Sequence, residues 1–287
     1  MRVLAVVNQK GGVGKTTTCI NLAACSALAG WTTLVVDLDP QGNATSGLGI
    51  DRSSVEASVY DLLVPASGCN GTKLRDIMKP AALPGLYVLP ATIDLAAADL
   101  VLANAIAREL RLRSALQGQI DDIHLVLIDT PPSLGLLTVN ALAAAEGILV
   151  PVQCEYYALE GLSLLLDVVA LVRSQLNPAL QILGAVLTMF DARTRLAFDV
   201  AQEVRKAFPG RVFNTVIPRN VRLAEAPSYG QPVVLYDPEC AGARAYRDLY
   251  LEVFGDEETR VGEGLGGAAW RDSDGTAADL GDTDQSA

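Results

Sequence analysis

The feature that most constrains this chain is a glycine-rich turn set directly between a short apolar run and a long alanine-rich one. Residues 2–8 are apolar and largely β-branched, Gln9-Lys10-Gly11-Gly12-Val13-Gly14-Lys15-Thr16-Thr17 follows without a spacer, and residues 16–29 carry apolar side chains at helical period. A strand that turns straight into a helix packs against it, and further strands must lie beside it. Strand-like runs recur at 32–37, 86–90, 124–129, 147–152, 182–188 and 212–217, with helical stretches between them. These runs are apolar without alternation, the mark of strands buried on both faces. They predict an α/β fold with a largely parallel, doubly wound sheet. Such sheets bind ligands at the carboxyl ends of their strands, so the chemistry is expected in the loops after these runs. Residues 53–84, richer in Gly, Ser, Pro and charge, read as a surface insertion with one short helix, and residues 91–117 as one long helical segment ending near Gly118.

Charge marks where the domain is expected to stop. Of the formal net charge of −11, −7 falls in residues 256–287, which leaves −4 for residues 1–255. From Gly255 onward the chain is mostly Gly, Ala, Asp and Thr, with Trp270 its expected anchor, and such a composition buries too little surface to offset its ordering entropy. The expected organisation is a single domain over 1–254 and an acidic, flexible tail over 255–287. A body at −4 can still present a local basic face, so overall acidity does not exclude nucleic acid. Cys19, Cys25, Cys69, Cys154 and Cys240 form no CxxC pair, which argues against a metal site or a disulfide framework and for a reducing, cytoplasmic setting. No apolar stretch reaches the roughly 20 residues of a bilayer span, and the first apolar run is too short for a signal sequence; no membrane partner is expected.

The glycine-rich turn has a specific chemistry. Gly11, Gly12, Val13 and Gly14 let backbone N–H groups point inward around phosphate oxygens, and the following helix adds the positive end of its dipole. Lys15 is placed to reach the β- and γ-phosphates, the Thr16 hydroxyl to ligate Mg²⁺, and Thr17 to continue the cradle. The expected domain is therefore a P-loop NTPase with ATP and Mg²⁺ as cofactors. Two later strand ends carry carboxylates: Asp37-Leu38-Asp39-Pro40-Gln41-Gly42-Asn43, and Asp129-Thr130-Pro131-Pro132. Alternation puts Asp37 and Asp39 on one side. Buried carboxylates at such a place call for a cation or a water. Asp129 is the expected carboxylate beside the metal, and Asp37 is assigned to the same metal shell.

The loop departs from the ordinary pattern, which has glycine where Gln9 stands, and it carries a second lysine, Lys10. Lys-Gly-Gly-Val-Gly-Lys-Thr-Thr resembles the deviant Walker A loop of the family that contains ParA, Soj, MinD and the nitrogenase iron protein. The match narrows at Ile217-Pro218-Arg219-Asn220 with Glu225-Ala226-Pro227-Ser228. Together with DPQGNATSGLG, DTPPSLG and TMFDARTRL, it resembles the chromosomal ParA/Soj proteins over roughly residues 1–254. The resemblance implies that Lys10 acts in trans on nucleotide held by a second subunit, that Asp39 orients the hydrolytic water, and that Pro218 and Asn220 border the adenine. It further implies a homodimer in the ATP state, non-specific DNA binding through surface arginines, and a ParB/Spo0J-like protein that stimulates hydrolysis near the nucleoid. Arg193, Arg195, Arg219, Arg222 and Arg247 are the arginine candidates, acting on phosphates rather than bases. No arginine finger is embedded in these motifs, so hydrolysis is expected to be slow alone.

Other readings fit less well. A MinD-like ATPase acting at a membrane or protein assembly shares the loop but should end in a basic amphipathic helix, whereas this end is acidic. An iron-protein-like carrier needs a cysteine soon after Asp129, where Pro131 and Pro132 stand. A small-molecule synthetase would need a substrate site that no motif marks, and a non-hydrolysing switch would bind ATP without turnover. A helix-turn-helix unit before the loop, and with it operator-specific binding, is not expected. Lone His124 is expected to be structural, and Tyr156, Tyr157, Tyr246 and Tyr250 to be packing residues.

Overall fold

A computed structural model describes residues 2–64, 72–155 and 160–261, the side chains of Glu160 and of residues 256–261 excepted. Eight strands make one sheet: β1 (Arg2–Val6), β2 (Thr33–Asp37), β3 (Lys79–Pro80), β4 (Leu86–Leu89), β5 (Leu125–Asp129), β6 (Gly147–Gln153), β7 (Gln181–Phe190) and β8 (Val212–Pro218). Their order is β3-β4-β2-β5-β1-β6-β7-β8. Every pairing is parallel except that of β3 with β4. The first strand thus lies in the middle, flanked by β5 and β6, and its carboxyl end opens at the point where the strand order reverses.

Among the described residues twelve α-helices flank the sheet. The longer ones are α1 (Lys15–Leu28), α7 (Leu136–Ala144), α8 (Glu160–Gln175), α9 (Arg195–Ala207) and α12 (Ala241–Val261). The short ones are α2 (Asn43–Gly47), α3 (Val59–Leu63), α4 (Leu74–Ile77), α5 (Ala98–Val101), α6 (Arg111–Leu116), α10 (Val221–Glu225) and α11 (Val233–Tyr236). Strand alternation divides the apolar side chains between two cores. Val3 and Ala5 enter one with residues of α7, α8 and α9; Leu4 and Val6 enter the other with residues of α1 and α12. This is why β1, β2 and β5 read as unbroken apolar runs: both faces are covered, and β2 and β5 are buried at every position.

Two stretches differ from expectation. Residues 53–84 are not a mere surface insertion: α3, α4 and β3 occur there, and Leu63, Leu74 and Ile77 are fully buried. A capping box starts α3, with the Ser58 hydroxyl accepting from the Tyr60 amide and the Asp61 carboxylate from the Ser58 amide. Residues 91–117 are not one helix but α5 and α6 with 3₁₀ turns at Ile93–Ala97 and Arg108–Leu110. The break turns on Ala107, in the left-handed region at φ 53°. Asn140 of α7 bridges it: its Oδ1 accepts from Leu112 N and its Nδ2 donates to Arg108 O. Packing against α7 thereby overrides the helix propensity of an alanine-rich run.

The last helix closes the side of the sheet that α1 covers. The Tyr246 and Thr18 hydroxyls lie 3.1 Å apart, and Trp31 meets Tyr250 and Phe254 edge-on, with centroids 6.4 and 5.8 Å away. Glu252 accepts from the amides of Asn214 and Thr215, which pins the outer strand β8. The helix continues past residue 254, where the domain was expected to end, as far as Val261; the rest of the expected tail lies outside the described residues. Tyr156, Tyr157, Cys69 and Trp270 also lie outside them. Tyr246 and Tyr250 pack in the core, and His124 accepts at Nδ1 from Thr32 N, a structural role. The described cysteines are free, with Cys19, Cys25 and Cys154 buried.

Candidate functional site

The loops at the carboxyl edge of the sheet converge around the turn after β1. Gly12 and Gly14 take φ values of 76° and 88°, and Gly14 caps α1 without any side-chain hydrogen bond to the helix's first amides. Those amides remain open to an anion. Neighbouring strands hold the turn in place: Asn8 Nδ2 donates to Pro151 O, Thr130 Oγ1 to Val6 O and Thr188 Oγ1 to Val13 O. Lys15 is buried, and its Nζ donates to Lys10 O at 3.1 Å. Burial pulls its pKa down, while the charges of Asp129 and Asp39 oppose the shift.

The carboxylates differ in what satisfies them. Asp37 and Asp129 are register partners on β2 and β5, and both are fully buried. Asp37 Oδ2 accepts from Thr45 N at 2.8 Å and Thr45 Oγ1 at 2.7 Å, and its Oδ1 from Asp39 N at 3.1 Å. These bonds tie Asp37 to the loop and helix that follow β2. Its carboxyl is nonetheless pushed up to about 6, chiefly by burial. Asp129 is also pushed well up, first by burial and then by the charge of Asp37. Neither of its oxygens makes a hydrogen bond of regular geometry to a described residue, although the Thr16 hydroxyl lies close enough to favour its ionised form. A buried carboxylate in that condition is a strong candidate for a cation. Among the described residues no group of three or more His, Cys, Asp or Glu side chains could enclose a metal alone. Asp129 and Thr16 therefore fit a Mg²⁺ that completes its shell with phosphate and water, the habit of that ion.

Asp39 is buried just beyond the end of β2, with Oδ1 accepting from Gln41 N. Lys10, by contrast, has 37% of its side chain exposed and sits 3.6 Å from Glu155 at the end of β6. Beside the turn lies a cavity of about 440 Å³ lined by Thr17, Gln153, Thr188, Met189, Pro218 and Asn220. The structure thus brings Pro218 and Asn220 to the phosphate turn. Asn220 Oδ1 caps α10 by accepting from Arg222 N. Sequence reasoning missed Gln153, Glu155, Thr188 and Met189; their one signal was position, since they lie at or just past the end of β6 and in the last residues of β7, on the edge already marked for ligands.

The arginines fall into two groups. Arg195 and Arg193 are 93% and 85% exposed, although Arg193 is chelated by Asp191 through two hydrogen bonds. Arg193 and Arg219 line one open concavity, joined by Arg244. Arg222 is held by Glu225 and Asp237. Arg247 is half-buried and donates to Pro238 O, which makes it the least exposed of the five.

An uncapped glycine-ended helix start, a buried lysine and an unsatisfied aspartate on the strand next to β1 define the class: a nucleotide-binding α/β domain of the P-loop type. The AAA domain family model matches residues 1–182. Soj, the sporulation initiation inhibitor protein of Bacillus subtilis, is 54% identical over 252 residues, 88% of this chain and 98% of its own length. ParA, the chromosome partitioning protein of Myxococcus xanthus, is 50% identical over the same share of this chain and 87% of its own. Among solved structures, cobyrinic acid a,c-diamide synthase from Mycobacterium smegmatis with bound ADP and magnesium is 36% identical with a TM-score of 0.77, over 92% of this chain and 96% of that one. The chain belongs to the Soj/ParA family of chromosome-partitioning ATPases.

Proposed function

We propose that this protein is an ATP-driven partition switch: Mg²⁺ and ATP bind at the turn after β1, two copies close over the nucleotides, and the dimer holds DNA until hydrolysis releases it. The carrying observation is the buried, unsatisfied Asp129 beside Lys15, Thr16 and the uncapped start of α1. When bound, Mg²⁺ supplies charge neutralisation between the β- and γ-phosphates. The protein supplies position: Lys15 and the amides of residues 11–17 bind the phosphates, and Pro218 and Asn220 border the base. Asp39 orients the attacking water, and Asp37 holds the loop that carries it. Lys10 is the residue assigned to the partner's nucleotide. Its ion pair with Glu155 is exposed, and exposed pairs hold only about 0–1 kcal/mol, so Lys10 is free to leave.

DNA binding is assigned to phosphate contacts from the Arg193, Arg195 and Arg219 group, with a ParB-like protein setting the hydrolysis rate. The names of the Soj and ParA relatives favour this over the membrane alternative, and among the described residues no helix is long and apolar enough to cross a membrane. The test is binding of the purified protein to non-specific duplex DNA with ATP, ADP or no nucleotide, across a salt titration, with Lys15→Ala as control. ATP-dependent, salt-sensitive binding that Lys15→Ala abolishes is the expected result. ATP-driven dimerisation without DNA binding would instead assign a protein or membrane cargo.

A further inference from the structure

Thr45 lies in α2, the short helix after β2, is fully buried, and has no part in the nucleotide contacts assigned above. It joins three elements. Its hydroxyl and its amide both donate to Asp37 Oδ2, and the same hydroxyl accepts from Ala91 N, just beyond β4, at 2.9 Å. Asp37 in turn accepts from Asp39 N, and Asp39 O accepts from Gly42 N, which closes the turn into α2. The Asp39 carboxylate is therefore carried on a loop whose two ends meet at Thr45.

The far side of α2 is equally constrained. A Cβ on Gly47 would lie 2.6 Å from Ile20 Cδ1 of α1. Gly230, left-handed at φ 64°, packs backbone to backbone on Gly49: a Cβ there would come within 2.8 Å of Gly49 Cα and 3.5 Å of Ser46 O. The chain that reaches Gly230 leaves the base-side cavity at Pro218 and Asn220. One rigid path thus runs from the base-side loop through α2 to the aspartate assigned to the water.

We propose that Thr45 is a positioning residue for hydrolysis, setting where Asp39 stands through Asp37 while leaving nucleotide affinity to the turn after β1. This rests on the hydrolytic reading of Asp39 given above. Misplacement of a catalytic group by about 1 Å can slow a reaction by roughly a hundredfold. Thr45→Val keeps the shape of the side chain but removes the hydroxyl, loosening Asp37 and leaving Ala91 N unpaired.

The experiment compares Thr45→Val, Thr45→Ser and Asp39→Ala with the wild type in the full chain. Single-turnover hydrolysis of Mg·ATP, affinity for a fluorescent ATP analogue, and thermal melting are read for each. Thr45→Val should lower hydrolysis between about tenfold and a hundredfold with affinity unchanged within about threefold, and Thr45→Ser should restore the rate. Wild-type hydrolysis in Thr45→Val beside an inactive Asp39→Ala overturns the proposal. So does a parallel loss of affinity, melting temperature and rate that serine fails to rescue, since that is the signature of a merely structural role. Normal hydrolysis in Asp39→Ala removes the hydrolytic reading itself, and the positional argument with it. If Thr45→Val does not fold, Gly230→Ala presses on Gly49, just past the end of α2, and must give the same split between rate and affinity; an unchanged rate there counts against the proposal.

Discussion

Lys10 and Lys15 share one loop and hold opposite environments. Lys15 is buried, with its ammonium against a backbone carbonyl and two carboxylate charges nearby. Removing it leaves Asp129 and Asp39 without their cation as well as taking a phosphate ligand away. Lys15→Ala should therefore reduce ATP affinity by at least about a hundredfold, the scale of a lost charged hydrogen-bond partner of about 3 kcal/mol, as equilibrium dialysis would show. Among the described residues Lys10 pairs with Glu155, itself 55% exposed. Glu155→Ala should leave unfolding in urea unchanged within about 1 kcal/mol. It should also strengthen ATP-driven self-association slightly, by no more than about fivefold in analytical ultracentrifugation, because the ion pair no longer has to be broken first. A large loss of self-association would assign Glu155 a part in the interface itself.

At the scale of elements, the junction between α5, α6 and α7 depends on a single side chain. Asn140 is fully buried and satisfies Leu112 N and Arg108 O at the break. Asn140→Ala should destabilise the protein by about 1–3 kcal/mol, seen as a lower urea midpoint, since both groups are left unpaired. The same junction shows why some elements could not be read in advance. Residues 91–117 have helical composition, and nothing local announces the left-handed Ala107; the break is dictated by a residue far along the chain. The strands were legible because burial on both faces leaves an unmistakable apolar run. The phosphate turn was legible because its glycines, lysine and threonines each have a local chemical reason. The bonds that hold Asp37 were not legible, because Thr45 folds back onto it from a helix that spacing does not reveal. Ser58 and Asp61, three apart, were a readable start for α3 within a stretch taken as surface.

The whole molecule carries two buried carboxyls side by side, and its stability should follow their protonation. Asp37 stands at about 6 against an ordinary value of 3.8, and Asp129 is raised as well. The fold thus prefers these groups protonated, so between about pH 4 and 6 the native state binds more protons than the unfolded chain and Asp37 makes stability fall as pH rises. For the nucleotide-free protein, melting temperature should rise as pH is lowered from 7 to 5, and Asp37→Asn should flatten that profile in scanning calorimetry. Mg²⁺ needs the ionised form of Asp129, so the stabilisation gained from Mg·ATP should shrink over the same acidification.

The packing of α12 on α1 has a consequence for the order in which the protein comes into being. During translation the phosphate turn and α1 emerge more than 200 residues ahead of α12, yet Tyr246, Tyr250 and Phe254 complete the wall against which Thr18 and Trp31 rest. A nascent chain on the ribosome therefore displays its nucleotide motif well before that motif has a back to lean on.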